Sequence, residues 1–328
     1  MTTIQDRARG ALVGLAVGDA LGAPVEFQPR PVIISDYQEA KNWKIPAGAW
    51  TDDTAQALCL AEGLLNGADD RGFMDLFVRW MEQGHNSSTG KAVGIGGTVL
   101  KTLMTYRVTS QIRPPTDEHS SGNGCIMRLA PVVIYHNWRL KLGTTNKSIE
   151  QAVIESAKLT HGSKTSEYCT RYFGWILDSL ISGWTKEASL RHHHPRADEL
   201  QHLYEREYEN KTADGTIEHQ FKNVYHTEAR LKSDGYCVNT LECALWALYH
   251  STTFEDGMLM AIGLGGDTDT IGAVYGQLAG ALYGYSGIPQ RWKDGLVKHD
   301  VILDYADRLM IIPDDVLKTF YENTDLIT

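Results

Sequence analysis

GALVGLAVGDALG at residues 10–22 and GAVYGQLAGALYG at residues 272–284 decide the reading of the fold. Glycine recurs every fourth residue in both, at Gly10, Gly14, Gly18 and Gly22, and again at Gly272, Gly276, Gly280 and Gly284. In the second stretch Ile271, Val274, Tyr275, Leu278 and Leu282 keep the i, i+3, i+4, i+7 spacing of one helical face. A glycine inside a helix costs up to about 1 kcal/mol relative to alanine. Two ladders of four therefore need an offsetting gain. A stripe without side chains lets a second backbone approach closely, as small-residue faces do between membrane helices. The apolar run at 11–18 is too short to cross a bilayer, and Asp19 ends it. The expectation is two central, tightly packed helices in a soluble α-bundle.

Helical periodicity continues outward from these two segments, and alternating strand patterns are nearly absent. The spacing predicts helices near 4–22, 53–67, 73–84, 92–106, 148–160, 165–183, 196–210, 238–250, 254–263, 268–285, 299–310 and 313–322, and loops at 23–31, 44–48 and 112–124. The most polar stretch, 186–235, reads as an insertion in one domain spanning 1–328. Its run His192-His193-His194 before Pro195 reads as a solvated turn rather than a zinc site.

Composition narrows the function classes. The 328 residues hold 31 Lys plus Arg against 41 Asp plus Glu, a formal charge of −10. That balance argues against a nucleic-acid coat or an anionic membrane surface as the main partner. Five cysteines with no C-x-x-C pair argue against a disulfide framework, and no A-x-A-like cleavage site follows the first apolar run. A cytoplasmic location is expected.

Two carboxylate clusters carry the chemistry. Thr51-Asp52-Asp53-Thr54 opens one apolar helix, and Asp267-Thr268-Asp269-Thr270 opens another after Gly265-Gly266. Thr and Asp are favoured helix caps, so capping is the plain explanation. One cap needs one such residue, however, and each start carries four. Converging carboxylates repel unless a cation neutralises them. Carboxylate and hydroxyl oxygens suit hard ions such as Mg²⁺ or Mn²⁺. On spacing alone the capping and metal readings stand level.

The motifs together resemble the ADP-ribosylglycohydrolase family. The resemblance rests on Gly14-x-x-x-Gly18-Asp19-Ala20-Leu21-Gly22, Pro24-Val25-Glu26-Phe27, Thr51-Asp52-Asp53-Thr54 and Gly265-Gly266-Asp267-Thr268-Asp269-Thr270-Ile271-Gly272. Between them, Ser121-Gly122-Asn123-Gly124-Cys125-Ile126-Met127-Arg128-Leu129-Ala130-Pro131, Thr160-His161 and Gly235-Tyr236-x-x-x-Thr240-Leu241 resemble the bacterial dinitrogenase reductase-activating branch. The resemblance implies an all-α, compact orthogonal multi-helix bundle with a binuclear metal cleft. It implies a hydrolase that removes ADP-ribose from a mono-ADP-ribosylated acceptor, a protein side chain with arginine favoured. The implied cofactors are two Mg²⁺ or Mn²⁺ ions on Thr51, Asp52, Asp53, Asp267, Asp269 and Thr270. Glu26, Asp53 and Asp269 are the implied catalytic residues. Gly96, Gly97, Thr98, Ser121, Gly122, Asn123, Gly124, His161 and Tyr236 are the implied substrate contacts, with 121–124 the first choice for the diphosphate and 96–98 the second.

One position departs from the pattern. After Gly84-His85-x-Ser87-x-Thr89-Gly90, relatives commonly carry an Asp before Ile-Gly, and here that place is Gly94. A carboxylate there could pair with a guanidinium. Its absence keeps open a second reading, an ADP-ribose-binding or toxin-neutralising immunity protein with little turnover. Such a protein would partner an ADP-ribosylating toxin or its target. A hydrolase of ADP-ribosylated small molecules or nucleic acid is a third, with the negative charge against nucleic acid.

Overall fold

The structure is a computed structural model that describes residues 2–190, 228 and 231–311. The helices expected at 196–210 and 313–322, the histidine run at 192–194 and most of the 186–235 insertion lie outside the described residues. Among the described residues there are thirteen α-helices and no strand; Ala40 with Ile45 and Gly122 with Tyr236 form isolated bridges. The all-α expectation holds.

Helix α1 spans Ile4–Gly22. Next come α2 (Asp52–Leu65), α3 (Asp70–Gln83), α4 (Gly97–Thr109), α5 (Ala130–Lys141), α6 (Ile149–Lys158), α7 (Lys164–Ile181) and α8 (Lys186–Leu190). The chain then forms α9 (Cys237–His250), α10 (Phe254–Gly263), α11 (Thr268–Tyr283), α12 (Gln290–Gly295) and α13 (His299–Leu309).

Helices α1 and α11 pack antiparallel, glycine on glycine. A Cβ placed on Gly10 would lie 2.1 Å from the carbonyl O of Gly280, one on Gly14 2.2 Å from that of Gly276, and one on Gly18 2.0 Å from that of Gly272. No side chain fits between these backbones, so the ladders are the contact itself. Gly284 is not a helical rung: it ends α11 at φ +78, against the Asp6 side chain. Arg7 closes the far end, donating from Nη1 to the Ala281 and Leu282 carbonyls at 2.8 and 2.9 Å, which α11 leaves without helical partners. By length and composition Ile4–Val25 could cross a membrane, longer than the 11–18 run alone suggests, yet 89% of its apolar window is buried inside the protein.

Two sequence expectations need correction. The helix expected over 92–106 begins only at Gly97, because Gly94 sits at φ +84 and Gly96 is the N-cap. Helix α5 is absent from the periodic segments because residues 130–134 and 136–137 are all buried, so no polar face marks a period. It is pinned by Gln277, a buried polar residue of α11, which accepts from the Ala130 N–H (2.7 Å) and donates to the Met127 carbonyl (2.9 Å).

Candidate metal centre and active site

The antiparallel pair brings the two acidic motifs together. Gly22 at the end of α1 lies against the start of α11, where its Cβ would meet Asp269 Cα at 2.4 Å. Asp19 sits one turn back. Carboxylate oxygens of Asp19, Asp53 and Asp269 lie within 4.8 Å of one another, and so do those of Glu26, Asp267 and Asp269. Asp269 belongs to both triplets. Thr51 Oγ1 lies 3.3 Å from Asp53 Oδ2 and 3.4 Å from Asp269 Oδ2.

Capping does not account for these residues. Neither Thr51 at the N-cap of α2 nor Asp267 at that of α11 makes a side-chain cap bond. Asp19 does that work for α2: its Oδ1 accepts from the Thr51 N–H and hydroxyl (2.8 and 2.9 Å), its Oδ2 from those of Thr54 (3.0 and 2.7 Å). The sequence signal for Asp19 was an acid inside an otherwise apolar glycine ladder, and the reading of candidate ligands passed over it.

The charge state reports the same crowding. Burial first, then neighbouring carboxylates, hold Asp52, Asp53 and Asp269 well above the usual carboxylate range. Asp53 Oδ1 is buried without a hydrogen-bond partner. A set of buried oxygens, one orphaned, fits a hard divalent cation. Asp52, also expected as a ligand, lines the cavity but joins neither triplet; its Oδ2 accepts from Gln56 Nε2 at 3.2 Å. Thr270 lines the cavity, and its N–H donates to Asp269 Oδ1 at 2.9 Å.

Above the carboxylates lies a cavity of about 410 Å³. Glu26, Phe27, Trp43, Gly94 and Ile95 line it, as do Gly96, Gly97 and Thr98, the turn Gly122-Asn123-Gly124, His161 and Gly235. Burial raises the Glu26 carboxyl to about 8, with Asp267 and Asp19 adding to the shift and the Trp43 bond opposing it. Trp43 Nε1 donates to Glu26 Oε2. Asn123 Nδ2 donates to Asp267 Oδ2 at 2.8 Å, tying the glycine turn to the second motif.

Three expectations shift here. Ser121 does not line the cavity; it is buried, its hydroxyl 2.7 Å from that of Ser163. The Asn123 N–H is spent on the Gly235 carbonyl at 3.0 Å. By contrast α4 opens on the cavity at Gly96-Gly97-Thr98 with no capping side chain, which makes it the better anion cradle of the two. Tyr236 stands beside the cavity rather than in its wall, its backbone bridged to Gly122 and its side chain 37% exposed.

A buried chain links both halves of the site. From Asp52 it runs through Gln56 to Arg128 Nη1, then from Arg128 Nη2 to Thr160 Oγ1 (2.7 Å) and on to His161 Nδ1 (2.8 Å). Arg128 is fully buried, with its guanidinium carbon 4.6 Å from the Phe77 ring centroid. Burial, and Arg128 nearby, lower the His161 imidazole to about 3, so it is neutral. A Cβ on Gly124 would lie 2.8 Å from its ring. Gly94 also has a reason: it sits at φ +84, and a Cβ there would lie 2.4 Å from Asp52 Oδ1, so a side chain at that position would be strained and would crowd Asp52.

Comparison with known proteins matches this arrangement. The chain is 35% identical over 312 residues to an ADP-ribosylarginine hydrolase Tri1 of Serratia proteamaculans, covering 93% of this chain and 79% of that protein. It is 30% identical over 303 residues to the ADP-ribosyl-[dinitrogen reductase] glycohydrolase of Rhodospirillum rubrum, covering 88% and 90%. A solved structure titled ADP-ribosylglycohydrolase-related protein complex superposes with a TM-score of 0.75 at 34% identity, over 94% of this chain and 99% of that one. The family model for ADP-ribosylglycohydrolase matches residues 1–316, so a helix pair built to bring two Asp motifs into one cleft belongs to a member of the ADP-ribosylglycohydrolase family.

Proposed function

We propose that this protein is a metal-dependent hydrolase that releases ADP-ribose from an arginine side chain of a modified protein. The observation that carries the proposal is Asp269 shared between two carboxylate triplets, with Asp53 Oδ1 left orphaned beside it. The relatives' names support ADP-ribosyl-arginine as the substrate class.

Thr51, Asp52, Asp53, Asp267, Asp269 and Thr270 are the residues that would hold two Mg²⁺ or Mn²⁺ ions, with Asp19 fixing Thr51 and Thr54 behind them. Such ions supply Lewis acidity toward the ribose hydroxyls and a water near its C1. The chain's own groups do the rest. The N–H groups opening α4 receive the diphosphate. Neutral His161 and Tyr236 flank the path toward the nucleoside. Cleavage at C1 passes through an oxocarbenium-like state, so a group that moves a proton near neutral pH is needed beside it. Glu26 meets that requirement: with Trp43 fixing Oε2, Oε1 is the atom free to exchange the proton. Gly94 sustains the alternative of an ADP-ribose binder, since no carboxylate stands there for a guanidinium.

The test is ADP-ribose release from arginine-, serine- and nucleic-acid-linked substrates in Mg²⁺ and in Mn²⁺, with Asp269→Ala alongside. Release from the arginine-linked substrate that Asp269→Ala abolishes is expected. Near-parental turnover by Asp269→Ala removes the assignment of that residue, and tight ADP-ribose binding without turnover by the parent establishes the binder.

A further inference from the structure

Phe27 is placed against its own conformational preference. Glu26 at φ −56, ψ 138 and Phe27 at φ +65 form the middle of a turn closed by the Gln28 N–H on the Val25 carbonyl at 3.1 Å. These are the angles of a type II turn, whose third position favours glycine. A bulky residue with positive φ is an outlier. Two bonds clamp it: the Phe27 N–H donates to the Gly266 carbonyl at 2.7 Å, and the Gly266 N–H to the Gln28 carbonyl at 2.8 Å. The ring gains no burial in return, because Phe27 is 71% exposed. Held strain of this kind at a site points to use.

The surroundings say what the use is. Phe27 lines the cavity together with Glu26, Trp43 and Gly94. Gly96, Gly97 and Thr98 at the start of α4 line the same cavity. A substrate whose scissile bond lies at Glu26 brings its acceptor beside the next residue, the exposed Phe27. Gly94 offers no carboxylate to a guanidinium there. An aromatic face offers the other recognition chemistry for that cation and its alkyl stem. Resting on the hydrolase reading above, we infer that Phe27 is the specificity residue for the acceptor, its ring packing against the modified arginine side chain as that leaves the cleft.

The experiment separates the two halves of the substrate. Phe27→Gly and Phe27→Trp are compared with the parent for KM on an arginine-linked ADP-ribosylated protein, for inhibition by free ADP-ribose, which lacks the acceptor, and for melting temperature. Phe27→Gly should raise KM roughly tenfold, leave the inhibition constant of ADP-ribose unchanged, and melt at or above the parent because the turn is relaxed; Phe27→Trp should restore KM. An unchanged KM overturns the inference, and so does a KM that shifts together with the ADP-ribose constant. A parent that releases no ADP-ribose sinks the hydrolase reading instead, and affinity for the modified protein then decides for Phe27: equal binding by parent and Phe27→Gly overturns it.

Discussion

Gly18→Ala tests whether the glycine ladder is both packing and site. The added methyl would lie 2.0 Å from the Gly272 carbonyl O and 2.2 Å from its carbon. Ordinary contact needs about 3.4 Å, so α1 and α11 must part by roughly 1.4 Å or bend. Overpacking a core costs about 1–3 kcal/mol where side chains can yield. Here the obstruction is backbone, so the steric cost should reach the top of that range or pass it. Alanine returns up to about 1 kcal/mol of helix propensity. The net loss should be at least about 2 kcal/mol, which for a chain this size lowers the melting temperature by roughly 5 °C. Gly97→Ala is the control: it is helical with nothing within 4 Å of its Cβ, and it should melt at or above the parent.

Gly18→Ala should also harm function. Asp19 follows Gly18 directly and joins Asp53 and Asp269 in one triplet. A displacement near 1 Å there is enough to cost about 10²-fold in rate. Gly10→Ala, at the opposite end of the same contact, should lose comparable stability and much less activity. Melting by calorimetry and ADP-ribose release measure the two. If Gly18→Ala melts with the parent, the helices do not touch as described; if Gly10→Ala and Gly18→Ala lose activity equally, the ladder does not set the site locally.

Metal removal should expose the carboxylate repulsion. Asp52, Asp53, Asp269 and Glu26 sit above their ordinary values in the fold, so their stabilising protons are present at low pH and lost as pH rises. In chelator the melting temperature should fall from pH 6.5 to 9, and Mn²⁺ should flatten the curve; a flat curve in chelator refutes the crowding. Below pH 6.5 the slope should become shallower, because burial lowers His136 to about 4 and His161 to about 3, and the two protons the unfolded chain takes up there offset part of those held by the four carboxyls. Arg128→Met should destabilise by about 3 kcal/mol, since Gln56 and Thr160 lose their buried partner. Arg128→Lys should not restore activity, because one ammonium cannot span both bonds; full activity in Arg128→Lys would show that the chain from Asp52 to His161 positions nothing.

What the sequence showed and what it hid follow from one distinction. Repeated patterns were legible: two ladders predicted two touching helices, and two Asp-Thr clusters predicted one acidic site. Single polar residues inside apolar runs were not. Asp19, Gln56 and Arg128 each interrupt a buried segment, and each proves to be fully buried and hydrogen-bonded at the site. Apart from the bond of Gln56 to Asp52, their partners lie 32 to 72 residues away, so no local window pairs them. The turn at 121–124 looked like the stronger phosphate loop because glycines crowd it. Its leading N–H was already taken by Gly235, a long-range fact no motif contains.

The arrangement of helix ends sets how much of its own charge this acidic site can carry. Asp52 and Asp53 lie in the first turn of α2, and Asp269 lies in the first turn of α11. A helix N-terminus favours a nearby anion by about 0.3–1 kcal/mol, and up to about 2 when partly buried. Asp19 uses both its oxygens to cap α2 and so brings a further carboxylate to the same spot. Desolvation of a buried carboxylate costs several kcal/mol after relaxation. Two helix ends therefore offset only part of the cost of four converging carboxylates. The remainder can be removed by protonation, which consumes the oxygens, or by a divalent cation, which uses them. Asp53 Oδ1 has no hydrogen-bond partner and so is an oxygen open to a cation. That unpaired oxygen supports the cation reading, and it belongs to Asp53, which shares a triplet with Asp269 as Asp52 does not.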